Sequence, residues 1–526
     1  TIPVFCYHPK MEPVGMCRQC MVEIGRPQMD RTTGKPILDE KGEPKVQFGA
    51  KLEISCATPV SEGMVVRTNS EKARDSQNAV LEFLLTSHPL DCPICDKGGE
   101  CPLQNQDLAF GPSQSRFLYD EKKHLLKHYP LGELILLDQE RCVQCARCIR
   151  FEDEIAGDHV LGFAQRGRSM QIISNSEPGF DSVFSGNTTD ICPVGALTTR
   201  DFRFTARPWE LANEPSICAQ CPVGCNITLN TRREAASGGE VVIKRIMPRQ
   251  NEEVNEIWMC DKGRFAYHYN DHSDLRLSRP QVRREGRLAH ASWEHAAQQA
   301  GEAFAKAKSG LLVIGSGRLA NEDLFNLKTL AGQLGGTTAL YTGMGGGDLT
   351  RLVGVGAETP ALRGTNFAHM GKGSTIVVVA SDLYQEAPVW FLRVKQAAER
   401  GATLIVANAR ATKLDKSASF VVRYAYGDEI KTIQDLPRQD KLGEAFLQAA
   451  NAVILYGSDG LSLQGSAALA NACARLLVDS NHVGRPDNGL IGVWPHANDQ
   501  GAWELGWQPV DDLQAAFDQA AAVYIA

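Results

Sequence analysis

The stretch HPLDCPICDKGGECP, residues 88–102, sets His88, Cys92, Cys95 and Cys101 in one short segment. Three thiols at this spacing read as a metal or redox site rather than as disulfide partners, because disulfide frameworks belong to short secreted domains. An iron-sulfur cube needs four ligands, and the nearest soft or borderline donor is His88, four residues before Cys92. A neutral imidazole in place of a thiolate leaves such a site less negative, which is a lever on its reduction potential. The segment therefore predicts a [4Fe-4S] site on His88, Cys92, Cys95 and Cys101.

Working toward the start of the chain, Cys6, Cys17, Cys20 and Cys56 give C-x10-C-x2-C-x35-C. Four thiolates with one distant member suit a [2Fe-2S] cluster; the spacing is similar to that of plant-type ferredoxins, with a longer first loop. Gly15 and Gly63 are expected to let backbone pass close to the sulfurs. A C-x2-C pair alone also permits structural zinc. Working toward the end, Cys142, Cys145 and Cys148 form C-x2-C-x2-C, and Cys192-Pro193 completes a bacterial ferredoxin set. In a two-cluster ferredoxin a second set belongs at positions 152, 182, 185 and 188, where this chain has Glu152, Ser182, Ser185 and Thr188. One cluster is stripped entirely while the other stays complete, which predicts a ferredoxin-like module reduced to one [4Fe-4S]. The last set, Cys218, Cys221, Cys225 and Cys260, followed by Asp261, Lys262, Gly263 and Arg264, suits a further [4Fe-4S] cube. The chemistry common to all four is one-electron transfer.

Fifteen of the 16 cysteines lie in the first half, and Cys473 stands alone in the second. The charge balance, 55 Lys plus Arg against 62 Asp plus Glu for a net of -7, offers no basic field for nucleic acid or an anionic membrane. No apolar run approaches the ~18 residues of a membrane helix, so direct membrane insertion is not expected. At 526 residues several domains are required. The chain starts at Thr1 without Met and ends in the apolar run Val523 to Ala526, so both ends are expected to be incomplete.

Taken together, HPLDCPICDKGG from His88, RCVQC from Arg141, DICPVG from Asp190 and WMCDKGRF from Trp258 resemble the large iron-sulfur subunit of bacterial NADH-quinone oxidoreductase, respiratory complex I. The resemblance implies one [2Fe-2S] on the Cys6 set and [4Fe-4S] clusters on the His88, Cys142 and Cys218 sets. It implies electrons arriving from a partner subunit that carries FMN and oxidises NADH, and leaving through other peripheral-arm subunits toward quinone. It also implies a peripheral place on the cytoplasmic side of the bacterial inner membrane, a last cluster off the main path, and roughly thirty residues absent before the first cluster cysteine.

From about residue 270 the pattern becomes α/β. Thr375–Ala380 and Thr403–Ala407 read as parallel strands around a helix from Pro388 to Arg400 closed by Gly401. Leu311–Ile314 reads as a strand feeding a helix with Leu324, Leu327, Leu330 and Leu334 on one face, ended by Gly335 and Gly336. Gly315, Gly317 and Ala320 match G-x-G-x-x-A, but no acidic residue about twenty positions on is placed to hold a ribose, so a plain tight turn is expected. A cluster set followed by such units resembles molybdopterin oxidoreductases such as formate dehydrogenase, where Lys262 matches an electron-relaying lysine. Cys473, among Leu469, Leu476 and Leu477, reads as a small buried hydrophobe, so no molybdopterin is expected.

The fold class expected is multidomain α+β and α/β. Residues 1–71 form an incomplete [2Fe-2S] ferredoxin-like domain, 72–111 a [4Fe-4S] module with one histidine and three cysteine ligands, and 112–210 a ferredoxin-like domain with one [4Fe-4S]. Residues 211–267 form a [4Fe-4S] domain of molybdopterin-oxidoreductase type, and 268–526 an incomplete molybdopterin-oxidoreductase-like α/β domain. The leading reading is an electron-transfer subunit with no catalytic residues of its own. The alternatives are a molybdenum enzyme such as formate dehydrogenase, a hydrogenase sharing the front modules, and a zinc scaffold.

Overall fold

A computed structural model describes residues 2–112, 114–177, 179–270, 277–355 and 367–526. The chain forms two compact units, one of residues 1–213 and 230–245, the other of 214–229 and 246–526.

In the first unit, strand β1 (Met21–Pro27) is the hub of a small antiparallel sheet. It pairs with β2 (Val46–Phe48), β3 (Glu53–Ile54) and β4 (Val65–Arg67), in the registers Gly25 to Phe48, Met21 to Ile54 and Glu23 to Arg67. Helix α1 (Glu71–Leu85) starts where the Ser70 hydroxyl accepts from the Ala73 N–H at 3.3 Å, satisfying one of the donors a helix start leaves open. It turns the buried stripe Ala73, Gln77 and Leu81 onto β1. After α1 the chain runs through His88 and the Cys92 loop into α2 (Pro102–Phe110), whose opening proline costs no hydrogen bond at that position.

A second antiparallel sheet runs β5 (Tyr129–Pro130), β6 (Ile135–Leu137) and β9 (Leu197–Thr199), with helices α3 (Arg147–Arg150) and α4 (Asn187–Ile191) and the hairpin β7 (Leu161–Ala164) and β8 (Gln171–Ser174) between. The register Leu137 to Leu197 places the loop entering Cys142 and the loop leaving Cys192 at one end of this sheet, where the Asp138 N–H donates to the Ala196 carbonyl at 2.7 Å.

In the second unit the expected strands form, with boundaries shifted by a residue or two. A parallel sheet has the order Phe420–Val422, Thr403–Ala407, Ser374–Val379, Asn451–Tyr456 and Gly489–Gly492. Its central strands are buried on both faces, which explains their unbroken apolar sequences. A smaller parallel sheet sets Leu311–Ser316 between Thr337–Tyr341 and Ala522–Ile525. The G-x-G turn after Leu311–Ser316 is a packing device: a Cβ on Gly317 would fall 2.2 Å from Asp499 Oδ1, and one on Gly315 would meet Leu324 and Trp507 at 3.1 Å. A buried carboxylate beside that turn is unsuited to a phosphate. Among the described residues no helix is long and apolar enough to cross a membrane.

Candidate metal centres

The register Met21 to Ile54 brings Cys20, just before β1, beside the turn Ser55–Ala57 that carries Cys56; the Ser55 N–H donates to the Cys20 carbonyl at 3.1 Å. Cys6 and Cys17 face each other, each backbone N–H 3.4 Å from the other's sulfur. Their shared hydrogen bond holds Cys6 protonated, well above the usual thiol range, and pulls Cys17 down to about 5. Burial and then the Cys20 thiol push Cys56 up to about 11, against a hydrogen bond from the Gly15 backbone. Gly15, with φ +60°, thus does bring backbone to a sulfur. At Gly63, with φ +73°, a Cβ would meet Pro27 Cγ at 2.7 Å, so the absence of a side chain there serves the packing at the end of β1.

His88 lines a cavity of about 80 Å³ with Cys92, Cys95, Cys101, Asp91, Arg141 and Gly195. Burial, then the charges of Arg141 and Lys122, lower its imidazole to about 4, against the pull of Asp91. The ring is therefore neutral at pH 7, with a lone pair to donate. Its Nδ1 is buried and makes no hydrogen bond among the described residues. Such an orphaned atom in a sulfur-lined cavity fits a ligand of a metal group. Burial raises Cys95 and Cys101 above the ordinary thiol range, whereas Cys92 is exposed.

Cys142, Cys145, Cys148 and Cys192 line a second, tighter cavity with Ala146, Arg147 and Val194. Burial and mutual repulsion push Cys142 and Cys145 up to about 12 and Cys148 well above the usual range. Thiols held this way give up their protons only to a cation at the sulfur. Gln144 and Ala146, in the turns between these cysteines, take φ of 54° and 60°, and Arg18, between Cys17 and Cys20, takes 63°. Left-handed backbone at non-glycine residues costs about 1–3 kcal/mol each and persists where a site over-determines it. Here it turns backbone N–H groups to sulfur, Gln144 N lying 3.4 Å from Cys142 Sγ. The stripped half of the module is closed by hydroxyls: Ser182 donates to Asp158 Oδ2 at 2.9 Å and Thr188 to the Ser185 carbonyl at 2.6 Å, while Glu152 is buried in a π-helical turn.

Cys218, Cys221, Cys225 and Cys260 are all buried, in the second unit. The Cys218 N–H donates to the Cys225 carbonyl at 2.8 Å, closing the loop that carries three of them. Burial pushes Cys221 up to about 11 and Cys260 to about 12, and the Lys262 charge opposes the shift at Cys218 and Cys221. A Cβ on Gly263 would stand 3.1 Å from Cys218 Sγ, so the absence of a side chain there lets the helix that follows Cys260 close onto the Cys218 loop.

Three of the four sets are neighbours, in an order that differs from chain order. Arg150 Nη2 donates to the Cys6 carbonyl at 2.6 Å, and Arg147 bonds both the Tyr7 carbonyl and, at 3.1 Å, that of Ile191. The helix bearing Cys148 is thereby tied to the Cys6 loop. On the other side Cys101 Sγ lies 3.7 Å from the Pro193 carbonyl, and a Cβ on Gly195 would be 2.1 Å from Cys95 Sγ. The Cys142 set therefore stands between the Cys6 set and the His88 set. Arg141, Arg147, Arg150, Pro193 and Gly195 were not singled out from sequence as site residues, although Arg141, Pro193 and Gly195 lie in the quoted family phrases. Among the described residues no three or more Cys, His, Asp or Glu side chains close on one point as ligands of a single ion would. Cys473 lies in the core helix Leu463–Asp479 with Leu469 and Leu477, as expected.

Family profiles match four segments. They describe an NADH-ubiquinone oxidoreductase-G iron-sulfur binding region (residues 77–116), an NADH-quinone oxidoreductase subunit 3 ferredoxin-like domain (132–198), an NADH-ubiquinone oxidoreductase NDSU1/NuoG-like 4Fe-4S domain (213–268) and a molybdopterin oxidoreductase (276–526). The fold is thus iron-sulfur-binding, ferredoxin-like domains followed by a molybdopterin-oxidoreductase domain. The chain is 46 % identical to NADH-quinone oxidoreductase subunit 3 of Thermus thermophilus over 59 % of its own length and 39 % of that protein's. It is 35 % identical to the NADH-quinone oxidoreductase G subunit of Streptomyces coelicolor, covering 97 % of this chain and 59 % of the relative. With the corresponding G subunit of Rickettsia bellii it shares 31 % identity, covering 98 % and 70 %.

Proposed function

Because the chain belongs to the family of NADH-quinone oxidoreductase G subunits, we propose that it is an electron-transfer subunit of that complex, standing between an FMN-bearing, NADH-oxidising partner subunit and quinone. The chain spans 39 % and 59 % of the length of two of these relatives. We assign one [2Fe-2S] cluster to Cys6, Cys17, Cys20 and Cys56. [4Fe-4S] clusters are assigned to His88 with Cys92, Cys95 and Cys101; to Cys142, Cys145, Cys148 and Cys192; and to Cys218, Cys221, Cys225 and Cys260. When bound, such clusters supply one-electron transfer at potentials that the surrounding protein tunes. The chain's own residues gather the His88 imidazole with Cys92, Cys95 and Cys101 around one cavity and the Cys142 set around another, and keep three of the sets side by side. The contacts of Arg147 and Arg150 on one side, and of Pro193 and Gly195 on the other, carry this reading. The order they support is Cys6 set, Cys142 set, His88 set. No molybdopterin is expected, since the one thiol of the second half is buried in a helix core. We place the protein peripherally, on the cytoplasmic side of the bacterial inner membrane, with other subunits of the complex.

Iron, acid-labile sulfide, zinc and molybdenum counted per chain, with EPR of the reduced protein, test this. The expected result is about fourteen iron per chain, from one two-iron and three four-iron clusters, without molybdenum. A colourless, zinc-loaded protein overturns the reading, and stoichiometric molybdenum favours the formate-dehydrogenase alternative.

A further inference from the structure

Arg141 is 2 % exposed and among the largest fully buried side chains of the protein. In sequence it adjoins the ligand position Cys142, yet its side chain belongs to the other site: it lines the His88 cavity, and the cavity of the Cys142 set is lined without it. Its Nε donates to Asp91 Oδ2 at 3.0 Å, its Nη2 lies 2.9 Å from the same oxygen, and Asp138 Oδ2 is 3.2 Å from Nε. Lys127 Nζ, 2.7 Å from Asp91, shares that carboxylate. The remaining end, Nη1, is buried and has no hydrogen-bond partner among the described residues. A guanidinium carries five fixed donors, and a buried one left over beside a cavity calls for an acceptor there. Cys92, Cys95 and Cys101 line the same cavity as this guanidinium.

We propose that Arg141 sets the potential of the His88 centre, supplying its buried, unpartnered Nη1 donor and its positive charge to the sulfur-rich group held by His88, Cys92, Cys95 and Cys101. This rests on the assignment of a cluster to that set. A fixed positive charge favours the state with the extra electron, so Arg141 raises the midpoint potential; a hydrogen bond to sulfur acts in the same direction. Asp91, one residue before Cys92, positions the guanidinium and partly offsets it. The same residue can thus separate the potentials of two adjacent centres, because its charge stands in the His88 cavity although it adjoins Cys142 in sequence.

Redox-poised EPR on the assembled complex tests this. Arg141→Gln is expected to move the midpoint of the His88 centre to more negative potential, with the Cys142 centre moving less and iron content unchanged, and Arg141→Lys to recover part of the shift. Asp91→Asn, which removes a negative charge, is expected to move it the opposite way. An unchanged midpoint at full iron content, or equal shifts of both centres, overturns the proposal. If Arg141→Gln loses the cluster, Asp91→Asn decides, and a fall or no change there overturns it. If the wild-type complex shows no cluster on the His88 set, the functional assignment fails first and the inference with it.

Discussion

Gly195 shows how little room is left beside Cys95, one of the proposed cluster ligands. Any side chain there would begin 2.1 Å from Cys95 Sγ, inside contact distance of an atom fixed by its own loop. Gly195→Ala is therefore expected to displace Cys95, at an overpacking cost of about 1–3 kcal/mol. Iron content is expected to fall by about four per chain, with loss of the His88 EPR signal and retention of the Cys142 signal. Unaltered spectra in the variant would show that Cys95 is free to move and holds no cluster. That His88 shares a cavity with Cys92, Cys95 and Cys101 was legible in the sequence, because a three-cysteine motif lacks a donor and a histidine stands close by. Gly195 and Arg141 were not, because each acts on a set whose cysteines lie far away in the chain, and spacing carries no information about such contacts. The packing of Gly63 on Pro27 was hidden for the same reason, since the two lie far apart in the chain.

At the scale of elements, the short helix Arg147–Arg150 does more than carry Cys148. Arg150 bonds the Cys6 and Glu12 carbonyls, and Arg147 the Tyr7 and Ile191 carbonyls, so one turn of helix fastens the first loop of the chain to the ferredoxin-like module. Charge-assisted bonds to carbonyls contribute about 1.5–3 kcal/mol each when made in a shielded place. Arg150→Met is expected to speed hydrogen exchange across residues 5–17 by roughly tenfold or more, for a loss of about 1.4 kcal/mol. The Cys142 cluster is expected to keep its spectrum, because Arg150 does not line its cavity. Uniform exchange across the first unit would show that the two arginines hold nothing specific. The strands and helices of the second unit were legible because buried parallel strands are written as continuous apolar runs. Their sheet order was not, since Asn451–Tyr456 inserts beside Ser374–Val379 only through pairing that no local pattern encodes.

Across the molecule the thiols divide by purpose. Fifteen stand in the four sets for which clusters are proposed; the last, Cys473, stands among Leu469, Ala470 and Leu477 in a helix core. Burial alone drives its thiol far up, so it is a neutral, compact apolar group at any ordinary pH. A protein whose second half held a thiolate-bound metal would need that sulfur to stand with further donors around a cavity, whereas Cys473, 0 % exposed, is packed among core residues. Cys473→Ala is accordingly expected to leave iron, sulfide and the EPR of every centre unchanged. It should cost only the contacts of one sulfur, about 1 kcal/mol, or roughly 2–4 °C in the melting of the second unit. Cys473→Ser places a hydroxyl in the same core and is expected to cost more than Ala, because a polar group buried there must find an acceptor or lose its hydration. Calorimetry of the two variants beside metal analysis separates the roles: a stability ranking of Cys over Ala over Ser at constant metal content is the signature of packing, whereas loss of any metal in either variant would make Cys473 a ligand and the second half a reaction centre.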